Sequence, residues 1–219
     1  MNKYISELIA TYALIFFGSG AIIINTTSGG LLTHLGVAIA FGVVVMALIY
    51  GFGETSGCHI NPAVTLAFWY AGTFPGKQVL PYIIFQAIGA FLASLTLKIL
   101  FPDQEFLGGT LPAGTAMQSF VIEIILTFFL MLVVINVATG SKEVGTLAGI
   151  AIGGIVLLEA LVFGPITGAS MNPIRSLAPA IVSGKLQHIW VYLSAPIIGA
   201  LLAIMVYKIM VKPQQTSID

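Results

Sequence analysis

Charge is scarce in this chain. Lys, Arg, Asp and Glu make up 7% of its 219 residues against 58% that are hydrophobic, too few ionic groups to cover the surface of a soluble domain. The eight basic and eight acidic residues cancel, so no basic face offers itself to nucleic acid. A lone cysteine, Cys58, excludes an internal disulfide. Nucleotide loops, metal-ligand clusters and nucleophile–base pairs are missing too, which argues against an enzyme and gives no reason to expect a cofactor or a metal. These absences leave a polytopic membrane protein.

What is there is apolar length. Six stretches, Tyr4–Ile24, Leu31–Phe52, Val79–Leu100, Ala116–Ala138, Thr146–Phe163 and Ile189–Met210, are each near the ~20 residues that cross a bilayer as helix. The expected fold is all-α with six membrane spans. The first stretch reads as a retained span rather than a cleaved signal, because it contains Glu7 and no soluble domain follows a cleavage site. If the spans alternate, Lys3, Lys77, Lys142, Lys208 and Lys212 share one side, while Lys98, Lys185, Asp103 and Glu105 share the other. Lys excess marks the cytoplasmic side, so both termini are expected inside a plasma (inner) membrane, with a short polar tail from Pro213 to Asp219.

Between the spans one motif is written twice: Ser56-Gly-Cys-His-Ile-Asn61-Pro62-Ala63 and Thr167-Gly-Ala-Ser-Met-Asn172-Pro173-Ile174-Arg175. Asn is a strong N-cap and Pro a favoured first helical residue, so each Asn-Pro predicts the start of a helix. Roughly ten residues follow each, about 15 Å of helix or half a bilayer. Further matches join Glu7-xxx-Thr11 to Glu123-xxx-Thr127, Gly36–Gly42 to Ala148–Gly154, and Gln86–Ala90 to Pro196–Ala200, at offsets of 116, 112 and 110, with 111 at Asn-Pro. The chain therefore reads as one channel domain, 1–219, made of a three-span half (1–101) and a second half (116–212). An odd number of spans turns the halves upside down relative to each other, and such repeats place broken helices near the bilayer midplane.

Non-helical backbone at that depth is tolerated only inside protein or along a watery cavity. Gly57, Cys58, His59 and Ile60, and likewise Gly168, Ser170 and Met171, are thus candidates to line a pore with carbonyl oxygens. Two half-helix N-termini would repel cations and protons at its centre. If each Asn carboxamide oxygen caps its own helix, its NH2 is left free to hold the oxygen of a passing water or hydroxyl.

With its twin Asn-Pro motifs and six-span inverted repeat, the sequence resembles the aquaporins, or major intrinsic proteins, from end to end. Gly164-Pro-Ile-Thr-Gly-Ala-Ser-Met-Asn-Pro173 and Ser176-Leu-Ala-Pro-Ala180 look most like the nodulin-like intrinsic proteins, a branch associated with small uncharged solutes and metalloid acids such as silicic, boric and arsenious acid. The resemblance implies a central constriction at Asn61, Pro62, Ala63, Asn172, Pro173 and Ile174, and an aromatic/arginine filter at Phe41, Ala160, Ala169 and Arg175. Water-selective members usually have His where Ala160 stands, and its absence favours solutes larger than water. Glycerol facilitators usually carry Asp where Ser176 stands, and Tyr192-Leu193 replaces the Phe-Trp of water channels. The second motif ends in Ile174 instead of Ala, which adds bulk beside the centre. Ala169 stands where some water channels carry a mercury-sensitive Cys, so mercury sensitivity from the outer side is not expected.

The acids are the remaining puzzle. Glu7 and Glu123, one in each half, are expected to accept backbone N–H bonds from the re-entrant loops. Glu159 has no symmetric partner, and two readings stay open: a buried, hydrogen-bonded residue or one that tunes the entrance. His59 is expected to be a pore-lining hydrogen-bonding residue. Gly18, Gly20, Gly89, Gly153, Gly154, Gly199 and Ala203 are expected at close helix crossings. The function expected is a passive channel for water and small neutral solutes such as metalloid acids, glycerol or urea, excluding protons and ions. A water-selective channel and, more distantly, a proton-coupled transporter are the alternatives. The resemblance implies a homotetramer in membrane lipid.

Overall fold

The computed structural model describes residues 2–211, so Lys212 and the tail Pro213–Asp219 lie outside the described residues. Among the described residues the chain forms nine helices: α1 (Lys3–Thr27), α2 (Thr33–Ser56), α3 (Pro62–Ala71), α4 (Gly76–Leu100), α5 (Ala116–Thr139), α6 (Lys142–Thr146), α7 (Ala148–Thr167), α8 (Pro173–Ser183) and α9 (Ile189–Met210). Six of them, α1, α2, α4, α5, α7 and α9, are long and apolar enough to cross a membrane. The chain is a multi-pass membrane protein. The fifth span starts two residues later than the sequence suggests. Thr146 belongs to the separate turn of α6, and Leu147 divides the two.

The short helices α3 and α8 begin where the two Asn-Pro pairs stand. Asn61 Oδ1 accepts the N–H of Ala63, and Asn172 Oδ1 accepts those of Ile174 and Arg175, which satisfies donors that a helix start leaves open. Gly72 and Gly184 end these helices in the left-handed region, at φ 84° and 74°, where a Cβ would be strained.

Packing runs in matched pairs. Helix α1 lies on α2 and α4, as α5 lies on α7 and α9; α3 sits against α4 and α9, as α8 sits against α9 and α4; and α2 crosses α7. A Cβ at Gly89 would strike the backbone of α1 at Leu8, and one at Gly199 would strike α5 at Ile124. Only a hydrogen at these positions lets the helix pairs approach so closely.

The α2–α7 crossing corrects one feature of the sequence register. A Cβ at Gly42 would lie 2.7 Å from Gly153 O, and one at Gly153 would lie 2.6 Å from Gly42 O, whereas Gly154 faces open space. Gly42 thus matches Gly153, at the same spacing of 111 residues as the Asn-Pro pair, and the sequence pairing with Gly154 is one residue off. Motif spelling cannot see which of two adjacent glycines meets a backbone.

Both ends of this crossing are tied. Pro165 has no N–H for the carbonyl of Leu161, and His34 Nε2 fills the vacancy at 2.7 Å. That substitution lets α7 run on to Thr167, four residues past the expected Phe163. At the opposite end the Tyr50 ring packs on Gly149, and its hydroxyl donates to Thr146 O.

The lysines sort by side. Lys3 Nζ donates to Gln78 Oε1 and Lys208 Nζ to Tyr70 O at the end where α1 begins and α9 ends. Lys185 meets Glu105, and Lys98 donates to Pro102 O, at the far end.

Candidate functional site: the central cavity

A cavity of about 570 Å³ runs through the middle of the bundle. It is lined by the two loops that connect α2 to α3 and α7 to α8. Both adopt the same irregular course. Cys58, Ile60, Ala169 and Met171 have φ of 47°, 44°, 41° and 54°, a region that L-residues rarely enter and that costs about 1–3 kcal/mol each. Positions 58 and 60 match 169 and 171 at the same 111-residue spacing, so the strain is built in twice.

Two buried carboxylates hold it. Glu7 accepts from Ser56 Oγ (2.8 Å), His59 N (2.9 Å), Ile60 N (2.8 Å) and Gln86 Nε2 (2.8 Å). Glu123 accepts from Thr167 Oγ, Ser170 N and Met171 N, each at 2.8 Å. Tyr82 and Tyr192 donate their hydroxyls to the carbonyls of Ser56 and Thr167. Each loop is thus held by one acid and one tyrosine. Gln86 has no equivalent in the second half, because Pro196 takes its place.

Of the residues singled out in the sequence, Phe41, Ala160, Ala169 and Arg175 all line the cavity, as do Gly57, Cys58, His59, Ile60, Asn61, Ser170, Met171 and Asn172. Gly168 does not. It is the left-handed cap of α7, φ 83°, and a Cβ there would meet Thr110 rather than the lumen. Pro62, Ala63, Pro173 and Ile174 are buried behind the lining, so the bulk of Ile174 is absorbed by packing.

Neither asparagine amide group is wholly free, contrary to expectation. Asn61 Nδ2 donates to Met171 O and Asn172 Nδ2 to Ile60 O, both at 2.8 Å. Each amide therefore spends one N–H on the opposite loop and keeps one. Capping within one half cannot reveal a bond that spans 110 residues.

Arg175 is 2% exposed. One terminal nitrogen donates to Gly108 O at 2.8 Å, and its guanidinium carbon lies 5.0 Å from the centre of the Phe41 ring, within reach of a cation–π contact. Gly108 belongs to the segment between α4 and α5, in which the sequence suggests no functional residue. There φ is +63°, and a Cβ would fall 2.8 Å from Ser19 Cα, so glycine alone lets this loop rest on α1. Thr110, from the same loop, donates to Ser176 Oγ, which in turn bonds Ser170 Oγ. The signal available was the Leu107-Gly-Gly-Thr110 run.

His59 is stacked on Phe68 and flanked by Phe74 and Tyr82, with Nδ1 bonded to Thr65 Oγ1 at 3.2 Å. Glu159 is buried behind the lining, and neither carboxyl oxygen has a partner among the described residues.

Six spans, two half-helices that start at paired asparagines and a lined central cavity define a membrane channel. The chain belongs to the major intrinsic protein family, whose sequence profile matches residues 1–207. It is 48% identical over 210 residues to Aquaporin NIP1-1 of Zea mays, covering 95% of this chain and 74% of that protein. It is 47% identical to Nodulin-26 of Glycine max, over 95% and 78%, which sets it in the nodulin-like branch. Its fold superposes on the aquaglyceroporin of Plasmodium falciparum with a TM-score of 0.85 at 27% identity, covering 94% of each chain. The protein is a channel for water and small neutral solutes.

Proposed function

We propose that this channel passes small uncharged solutes, metalloid acids such as boric, silicic or arsenious acid and also glycerol or urea, through a filter of Phe41, Ala160, Ala169 and Arg175. The observation that carries this reading is the chemistry of that quartet. Two walls end in single methyl groups, one is an aromatic face and one is a guanidinium whose Nε and second terminal nitrogen have no acceptor among the described residues. Such a set joins small apolar walls, which leave room for a carbon or metalloid centre, to a cationic group that lines the cavity. A water-selective filter is the second reading, favoured by the close approach of Arg175 to Phe41.

The remaining N–H of Asn61 and of Asn172 would hold a permeating oxygen at the midpoint. Two donors facing one oxygen turn its own hydrogens outward and break a proton-conducting chain, while the half-helix dipoles repel cations. The matched packing of the helices supports one channel domain with halves 1–101 and 116–212. The lysines near the ends of the spans support a plasma (inner) membrane orientation with both termini cytoplasmic. Membership of this family supports a homotetramer with one pore per protomer.

Stopped-flow light scattering on proteoliposomes tests the solute class. Fast swelling under an inward boric acid or glycerol gradient is expected. Fast water flux with no solute entry establishes the water-selective reading. Arg175→Ala is expected to widen the filter, raise glycerol flux and admit small cations in a conductance assay; unchanged ion exclusion removes Arg175 from its role as the cation barrier.

A further inference from the structure

We propose that Gly18 is a positioning residue that sets the width of the filter through the ring of Phe41. The inference rests on the filter proposed for Phe41, Ala160, Ala169 and Arg175. On α1, Leu14 lines the cavity. Gly18 lies one turn further along the same face, yet it does not reach the lumen because the Phe41 ring sits directly on it. A Cβ at Gly18 would lie 2.7 Å from both Cδ1 and Cζ of that ring, with Cε1 nearer still.

The nature of the obstacle distinguishes this glycine from those at helix crossings. At Gly89 and Gly199 a Cβ would run into backbone, which cannot yield without parting two helices. At Gly18 all three nearest atoms belong to one side chain, and a side chain can move. Carbon atoms settle about 3.5–4.0 Å apart, so an added methyl group drives the ring away from α1 by roughly 1–2 Å. Phe41 lines the cavity, so a ring pushed off α1 narrows it.

The guanidinium beside the ring is anchored one residue away. Arg175 is fixed by Gly108 O, and Gly108 rests on Ser19. Consecutive residues of α1, 18 and 19, therefore set where Phe41 and Arg175 stand. The Phe41–Arg175 pair is thus fixed from behind, by two residues that do not line the cavity.

The test compares wild type, G18A, F41L and G18A/F41L in proteoliposomes, with water, urea and glycerol as probes of increasing size. In G18A glycerol entry is expected to fall by about tenfold, the scale of one methylene in a fitted pocket, with urea reduced less and water least. In G18A/F41L, where the ring is gone, solute entry returns to the F41L level. The proposal is overturned if G18A conducts all three probes as wild type does. It is equally overturned if G18A loses all three in parallel, or fails to reconstitute, and F41L does not rescue it, for Gly18 is then a packing residue. Should wild type pass water alone, the proposed solute class fails while this inference is read from water itself, which G18A must lower and F41L restore.

Discussion

Glu123→Leu is expected to yield no stable channel. The carboxylate is the acceptor for Ser170 N and Met171 N, two donors at membrane depth that lipid cannot satisfy. Each orphaned N–H costs about 1–3 kcal/mol. Two of them remove roughly 2–6 kcal/mol from a folded state whose whole margin is on the order of 5–15 kcal/mol. The left-handed conformations of Ala169 and Met171 lose their restraint at the same time, so the loop is free to leave the cavity wall. Glu123→Gln keeps one acceptor oxygen and is expected to fall between wild type and the Leu variant. Thermal unfolding in detergent, followed by size-exclusion profile, measures the order wild type, Gln, Leu. A Leu variant that melts with wild type would mean that the loop donors find other acceptors, and that the paired acids do not hold the pore.

Ala160→His is expected to have the largest effect on selectivity. An imidazole at this position fills the cavity opposite the Phe41–Arg175 pair and adds a polar group where a methyl stands. Misfit by a few atoms in a closed pocket changes rates by about 10- to 200-fold, so glycerol and boric acid entry are expected to drop by at least the lower figure. Water, the smallest of the permeants, is expected to lose far less. The measurement is the ratio of solute to osmotic permeability in the same vesicle preparation. A parallel loss of both would place the size limit elsewhere along the lumen.

The sequence carried the architecture through its least common features. Two Asn-Pro pairs in apolar surroundings were enough to locate α3 and α8, because capping and proline geometry are local and leave a spelling. Six spans followed from apolar length alone, and Glu7 and Glu123 stood out because acids are expensive in a membrane. Three features were illegible for a common reason, which is that each is a contact between distant segments. The carbonyl of Gly108 beside Arg175 carries no side-chain identity. The choice of Gly153 over Gly154 depends on helix phase. The bond from His34 to Leu161 exists only because Pro165, on another helix, lacks a hydrogen.

The cross-bonds of Asn61 to Met171 O and Asn172 to Ile60 O bear on synthesis. Each amide finds its acceptor 110 or 112 residues away, so the first half enters the bilayer with its central amide and the carbonyl of Ile60 unmatched. The first three spans can thread and pack while the ribosome is still working, but their innermost loop is completed only when the second re-entrant segment arrives. Closure of the conduit is thereby deferred to the end of translation, and a chain truncated before Met171 leaves a membrane-inserted bundle without a sealed path across it.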